Sequence, residues 1–236
     1  MNKPRTKLYM KVNPETNEII YTGIEFAEFQ QYLLHPIENM ILLKGNYGGN
    51  RQNHNFDLLE GSEEIVSLTK ENIYHFGNFH FVDYAVEGAE EKLSAQQVAE
   101  LLYITHLWSP LQSPFFGELK NRFVYLAHDD GWFCKLYCQD FKEFMHIFFR
   151  KITANLPMPE TKKPIAVEEE LLKLAISGIL VDLEESDCKK SNGTIAIYTV
   201  GEYSNMDDIL NDFENIKASA SQVAYLQNRE GEYKII

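Results

Sequence analysis

From Arg122 to Ile152 the sequence runs RFVYLAHDDGWFCKLYCQDFKEFMHIFFRKI. Its first half carries apolar runs on both sides of Asp130-Gly131, a dipeptide that suits the positive φ angles of a two-residue type I′ turn. Its second half begins with Asp140 as a helix cap and Glu143 three residues later, and apolar residues then recur at helical spacing. The stretch therefore predicts a β-hairpin that leads directly into an amphipathic helix.

Side chains of the predicted hairpin divide between two faces because a strand alternates with a period of two. One face receives Phe123, Tyr125, Ala127, Trp132, Cys134, Leu136 and Cys138. The other face receives Val124, Leu126, His128, Phe133, Lys135 and Tyr137. Both sets are largely apolar, which predicts a central hairpin with covering layers on both sides.

The rest of the chain predicts an α+β protein made of antiparallel hairpins packed with helices, followed by a smaller α+β domain. Residues 1–156 contain further short β runs and helix signals, such as Ser94 with Gln97 as a capping box. Residues 157–165 are rich in proline and predict a linker. Residues 166–236 alternate helix and strand patterns and predict a small acidic domain.

Composition excludes two classes of partner. The formal charge of −13 and the pI near 5.0 argue against nucleic acid, whose phosphates are bound by clustered lysine and arginine. No run approaches the 18 or so apolar residues of a membrane span, and the N-terminus shows no secretory signal, so we expect a soluble cytoplasmic protein without a membrane partner. Three cysteines without Cys-x-x-Cys spacing fit a reducing compartment.

The pentapeptide from His128 to Trp132 is the first candidate site. His128, Asp129, Asp130 and Trp132 are residue types that bind ligands and could hold a metal or move a proton. If Asp130 occupies the turn, however, His128 and Asp129 point to opposite faces of the sheet. The favoured interpretation is that Asp130-Gly131 sets the turn and that Asp129 bonds to nearby backbone groups. As the functional alternative, His128, Asp129, Asp130 and Trp132 are a candidate binding site and not a catalytic one.

His75 and His80 are the second candidate. With Gly77-Asn78 as a turn, they form a directly opposed cross-strand pair that could share one transition metal ion. A metal site needs at least one more ligand, and the sequence does not supply it locally. A cross-strand pair without metal is the competing interpretation.

Motifs for nucleophilic catalysis are missing from the sequence, and the cysteines lie in apolar strand context. We therefore expect a non-catalytic binding or regulatory protein without a cofactor, which acts on an unidentified protein partner or small ligand. The alternative is a metal-dependent enzyme that uses His75 and His80. The oligomeric state stays open.

Three segments together resemble a family of small soluble bacterial proteins: YLAHDDGWF from Tyr125, VNPETNEIIYTGIE from Val12, and the helix AELLYI from Ala99. Some members of that family carry the label oxalate:formate antiporter. An antiporter spans the membrane with many apolar helices, which this sequence does not contain, so that activity is not expected here. The resemblance implies a bacterial cytoplasmic setting and assigns no role to any residue.

Overall fold

The chain folds as a mixed α+β protein that consists mostly of sheet. The computed structural model describes residues 7–22, 24–43, 56–68, 79–128, 133–153, 169–182, 194–203, 206–229 and 232–236. Among these residues, no helix is both long and apolar enough to cross a membrane.

A single antiparallel sheet contains all the strands found in the described residues. They are β1 Lys7–Asn13, β2 Glu18–Tyr21, β3 Asn39–Leu43, β4 Phe56–Glu60, β5 Phe79–Tyr84, β6 Phe123–His128, β7 Phe133–Cys138, β8 Ile179–Asp182, β9 Thr194–Thr199, β10 Gln222–Arg229 and β11 Glu232–Ile235. Their spatial order is β11-β10-β9-β8-β1-β2-β7-β6-β5-β3-β4. Strands β1, β2 and β7 therefore lie near the middle of the sheet.

Short helices cover the sheet on both sides. They are α1 Phe26–Tyr32, α2 Ser62–Leu68, α3 Ala95–Ile104, α4 Phe141–Thr153, α5 Glu169–Ile176, α6 Met206–Asn211 and α7 Phe213–Ala218, with a 3-10 helix at Glu90–Lys92. The predicted caps are confirmed: Asp140 Oδ1 accepts from the Lys142 amide at 2.6 Å, and Ser94 forms a capping box with Gln97. Near the C-terminus, Asp212 separates α6 from α7.

The predicted hairpin is confirmed in its register. Phe123 pairs with Cys138 and His128 with Phe133, so the strands converge on the predicted turn. The turn itself, residues 129–132, lies outside the described residues. The hairpin feeds directly into α4 at Phe141, as its sequence predicts.

One side of the sheet, which we call the apolar face, carries a continuous hydrophobic core. Helices α1, α2, α4 and α5 contribute to it, and it contains the predicted hairpin face from Phe123 to Cys138. Aromatic rings fill its centre: Phe81 stacks on Tyr125 with centroids 5.1 Å apart, and Phe29 meets both rings. Large side chains packed in this way dominate the stability of a core.

The opposite side, which we call the mixed face, carries two separate apolar clusters. The first lies over β3, β5, β6 and β7 and is closed by α3 and by the segment that ends near Leu119. The second contains Tyr9 and Leu180 from the sheet and is closed by α6 and α7. The part of the mixed face between the two clusters belongs to β1, β2 and β7.

The sheet also joins the two regions that the sequence predicts as separate domains. Strand β8 pairs with β1, for example Leu8 with Val181, and continues the sheet toward β11. The predicted linker 157–165 lies outside the described residues. A division into domains 1–156 and 166–236 stays a prediction.

Candidate functional site

A charged row crosses the middle of the mixed face. Lys11 on β1 pairs with Ile20 on β2, and Ile20 pairs with Lys135 on β7. Glu18 pairs with Tyr137 one step further along the same two strands. Because paired residues point to the same side of a sheet, these side chains share one patch of the mixed face.

An open groove of about 620 Å³ lies over this row. Lys11, Glu18, Ile20 and Lys135 form its floor. Ser109, which follows the first cluster's helix α3, and Glu202, which precedes α6, line it as well. The groove thus occupies the space that the two apolar clusters leave uncovered, and its volume is typical of a site for a small ligand.

The two lysines of the groove each form an ion pair with a carboxylate. Lys135 Nζ lies 2.8 Å from Glu18 Oε1 and also donates to the Leu107 carbonyl at 3.4 Å. Lys11 Nζ lies 2.7 Å from Glu202 Oε2. Burial, and then the charge of Glu18, raises the pKa of Tyr137, so its hydroxyl stays protonated beside the first pair.

The backbone on both sides of Glu202 is fixed by hydrogen bonds to Tyr9 on β1. Tyr9 donates from its hydroxyl to the Gly201 carbonyl at 3.1 Å and accepts from the Tyr203 amide at 3.3 Å. Burial raises the pKa of Tyr9 to about 12, which keeps it a hydrogen-bond donor. Gly178 packs so closely that a Cβ there would lie 2.1 Å from the Gly201 oxygen. A glycine at position 178 is therefore required for this wall of the groove.

Two predicted site residues lie in the part of the chain that the structure describes, His80 and His128, and neither reaches the groove. His80 is buried on β5 of the mixed face, and His128 is exposed at the end of β6. Neither is among the groove-lining residues that the structure describes. Asp129, Asp130 and Trp132 lie outside the described residues. A binding role for these three residues together with His128 therefore stays a prediction.

His80 is an unusual buried histidine. Both of its ring nitrogens lack a well-aligned hydrogen bond to the described part of the chain. Burial, and then the charge of His128, lowers the pKa of His80 to about 4, and the nearby Ala127 backbone offsets only part of that shift. His80 is therefore neutral at pH 7.

The metal hypothesis receives a partial test from these positions. His80 is flanked in the sheet by Leu43 on β3 and Leu126 on β6, and a directly opposed histidine would need one of those two places. His75 lies outside the described residues. Within the ranges that the structure covers, no group of three possible metal ligands converges.

A second buried charged cluster lies at one end of the apolar face. Asp83 accepts from the Phe123 amide at 2.6 Å and from the Arg122 amide at 2.9 Å, and it also pairs with the Arg122 guanidinium. Arg122 in turn donates to the Pro36 carbonyl at 3.0 Å. These bonds attach the segment before β3 to the sheet, so the cluster has a structural explanation.

The sequence contains a partial signal for the groove. Alternation places Lys135 on the mixed face of the hairpin, where a charged side chain interrupts an apolar pattern. Lys11 and Glu18 are visible only as polar residues at the ends of short strands. Their convergence depends on the order β1-β2-β7 and on the two apolar clusters, which no local pattern contains.

The chain matches no model of a protein family, no curated protein and no solved structure. The family resemblance of the sequence therefore stays a prediction, and function is argued from the groove itself.

Proposed function

We propose that the protein is a non-catalytic binding protein and that the groove over Lys11, Ile20 and Lys135 is its ligand site. One observation carries the proposal: charged side chains stand on the central strands of a sheet, with open space above them. An antiparallel sheet can leave one face open to water, but here apolar clusters cover the same face on both sides of the charged row, so the uncovered strip is a bounded groove.

The Lys135–Glu18 pair supports the interpretation that the floor of the groove binds a ligand. Only 7% of the Lys135 side chain and 14% of the Glu18 side chain are exposed. A pair of this kind loses much of its hydration, and apolar residues of similar volume often give equal or greater stability. Retaining charges at such a place is better explained by a ligand than by the fold.

The contacts of these groups support binding rather than catalysis. Both lysines lie in ion pairs with carboxylates, an arrangement that suits the recognition of charged groups. Tyr137 is held in its protonated form, which suits it to donate a hydrogen bond and not to remove a proton.

The test is an NMR titration of the full-length protein with a library of amino acids, organic acids, sugars and nucleotides. We expect hits that shift the backbone amides of Lys11, Ile20 and Lys135. The variant Ile20→Trp, whose indole would fill the groove, should lose those shifts and keep its thermal midpoint. Hits that map elsewhere, or turnover of a hit by the wild-type protein, would contradict the proposal.

The metal-dependent alternative keeps one favourable observation: within the described ranges, the two ring nitrogens of His80 have no well-aligned hydrogen bond, and they lie near His106 and His128. Elemental analysis of protein purified without chelator tests it. The binding proposal expects no stoichiometric transition metal. A metal that disappears in the His75→Ala, His80→Ala double variant would favour the enzyme instead.

Setting and organisation belong to the same proposal. The resemblance of the sequence supports a bacterial cytoplasmic protein, and the proline-rich 157–165 supports a separate acidic unit over 166–236. A protein partner at the acidic unit is compatible with a small ligand in the groove where it contacts that unit away from Ile176 and Glu202, which line the groove.

A further inference from the structure

The two ion pairs of the groove differ in how firmly they are held. Lys135 and Glu18 are both largely buried, and Lys135 also donates to the Leu107 carbonyl. In the other pair, Lys11 is only 23% exposed, whereas the Glu202 side chain is 72% exposed. One member of the second pair is thus built into the floor, and the other extends from the rim.

This asymmetry makes Glu202 the replaceable partner. An ion pair with a well-solvated member contributes little to stability, so exchanging that member costs little. The backbone on both sides of Glu202 is fixed, since Val200 donates to the Gly178 carbonyl at 3.0 Å and Tyr203 donates to Tyr9. The carboxylate can therefore leave Lys11 by side-chain rotation while the wall stays in place.

We propose that the groove binds a zwitterionic ligand of the amino-acid or short-peptide class, whose carboxylate replaces that of Glu202 on Lys11. This inference rests on the proposed function of the groove. Glu202 stands, in the unliganded protein, where the ligand's carboxylate binds. It acts as an internal competitor that keeps Lys11 paired.

The excess of carboxylates in the groove requires that the same ligand also carry a cationic group. Glu15 and Glu18 line the groove together with Glu202, so carboxylates outnumber the two lysines. The whole chain carries a formal charge of −13, which repels a purely anionic molecule. An ammonium directed toward Glu15 or Glu18 balances the carboxylate at Lys11.

Size and polarity agree with this class of ligand. The groove of about 620 Å³ is open along one side and has room for more than a single amino acid. Ile20 on the floor and Pro14 and Ile176 along the groove offer apolar contact to a side chain. Ser109 offers a hydroxyl from the facing wall.

The experiment is a calorimetric titration of the full-length protein with the dipeptide alanyl-alanine, its C-terminal amide and its N-acetyl form. We expect the free dipeptide to bind and each blocked form to bind about tenfold or more weakly, because each loses one charge-assisted contact. Equal binding of the free dipeptide and its amide would overturn the assignment of the carboxylate to Lys11. Equal binding of the N-acetyl form would overturn the requirement for a cation.

Variants separate Glu202 from Lys11. Glu202→Gln should raise affinity for the free dipeptide several-fold by removing the competitor, whereas Lys11→Met should lower it about tenfold. Lys173→Met, on an exposed helical pair, is the matched control and should change nothing. Weaker binding by Glu202→Gln would show that Glu202 holds the ligand and would overturn the exchange.

The outcome distinguishes this inference from the proposed function. If library compounds bind the groove and are lost in Ile20→Trp, but the dipeptide does not bind, only the zwitterionic class is wrong. If no compound of either set perturbs the groove, the groove is not the ligand site, and both proposals fall.

Discussion

The apolar face and the mixed face belong to the same strands but differ in how completely their side chains are covered. The apolar face is one continuous core to which four helices contribute, with aromatic rings meeting from several strands. The mixed face has two smaller cores, and charged residues of β1, β2 and β7 stand between them. The difference indicates that one face provides stability and the other leaves room for binding.

The largest effect should come from the aromatic centre of the apolar face. Phe81 is fully buried and meets the rings of Phe26, Phe29, Phe79 and Tyr125. Phe81→Ala should lower the free energy of unfolding by about 4 kcal/mol, through lost transfer energy and a cavity. Urea denaturation measures it.

The matched control for this variant is Phe141→Ala. Phe141 is about half exposed at the start of α4 and stacks on one neighbour, Phe144. Its loss should cost less than about 1 kcal/mol, since about half of its surface already meets water. Similar costs for the two variants would show that the apolar face is not the dominant core.

The apolar face is also the part that the sequence predicts well. Alternation in the hairpin is a local pattern and is confirmed. The recurrence of Phe141, Phe144, Phe148 and Ile152 in α4 is another, and the last three are buried as it predicts, whereas Phe141 is about half exposed. Strand β4 was not predicted, because Phe56–Glu60 is short and holds two acidic residues. The groove was not predicted either, since it depends on the pairing of β1, β2 and β7 and on the two apolar clusters that leave these strands uncovered between them.

A smaller loss is expected at the wall of the groove. Gly178 has a φ of +88°, and a Cβ there would lie 2.1 Å from the Gly201 carbonyl oxygen. Gly178→Ala should therefore combine left-handed backbone strain with a steric clash, at a cost of about 3 kcal/mol. Because the wall must move, binding in the groove should fall as well.

Gly61→Ala separates the two contributions. Gly61 has the same φ of +88° and nothing within 4 Å of its added Cβ, so only the backbone strain of about 1 kcal/mol applies. Thermal or urea denaturation of the two variants compares them directly. Equal costs would mean that the close approach of Gly178 to Gly201 does not constrain the wall.

Acid should act on the two faces with opposite signs. On the mixed face, the pKa of His80 lies near 4, below its usual 6.5, so stability is lost as pH falls between those values. On the apolar face, burial raises the pKa of Asp83 to about 6, so stability is gained as pH falls from 6 toward its usual 3.8. Burial raises the pKa of Glu143 as well, which adds to the second effect.

His80→Leu should remove the first effect and leave the second. Relative to wild type, this variant should gain about 2 kcal/mol on going from pH 7 to pH 5, by linkage of the His80 proton. Asp83→Asn should shift the pH dependence in the reverse direction. Urea denaturation at the two pH values measures both, and parallel curves for all three proteins would contradict the assigned pKa shifts.

The smallest effect on stability should come from the charged floor. Lys135→Met alone leaves the largely buried Glu18 carboxylate without its cation and should cost about 2 kcal/mol. The double variant Glu18→Gln, Lys135→Met removes both charges and should come within about 1 kcal/mol of wild type. Its affinity for a groove ligand should nevertheless fall, because the charges that face the groove are gone. A double variant that is as unstable as Phe81→Ala would make the ion pair a structural element. The mixed face would then stabilise the fold as the apolar face does, but with charged side chains in place of apolar ones.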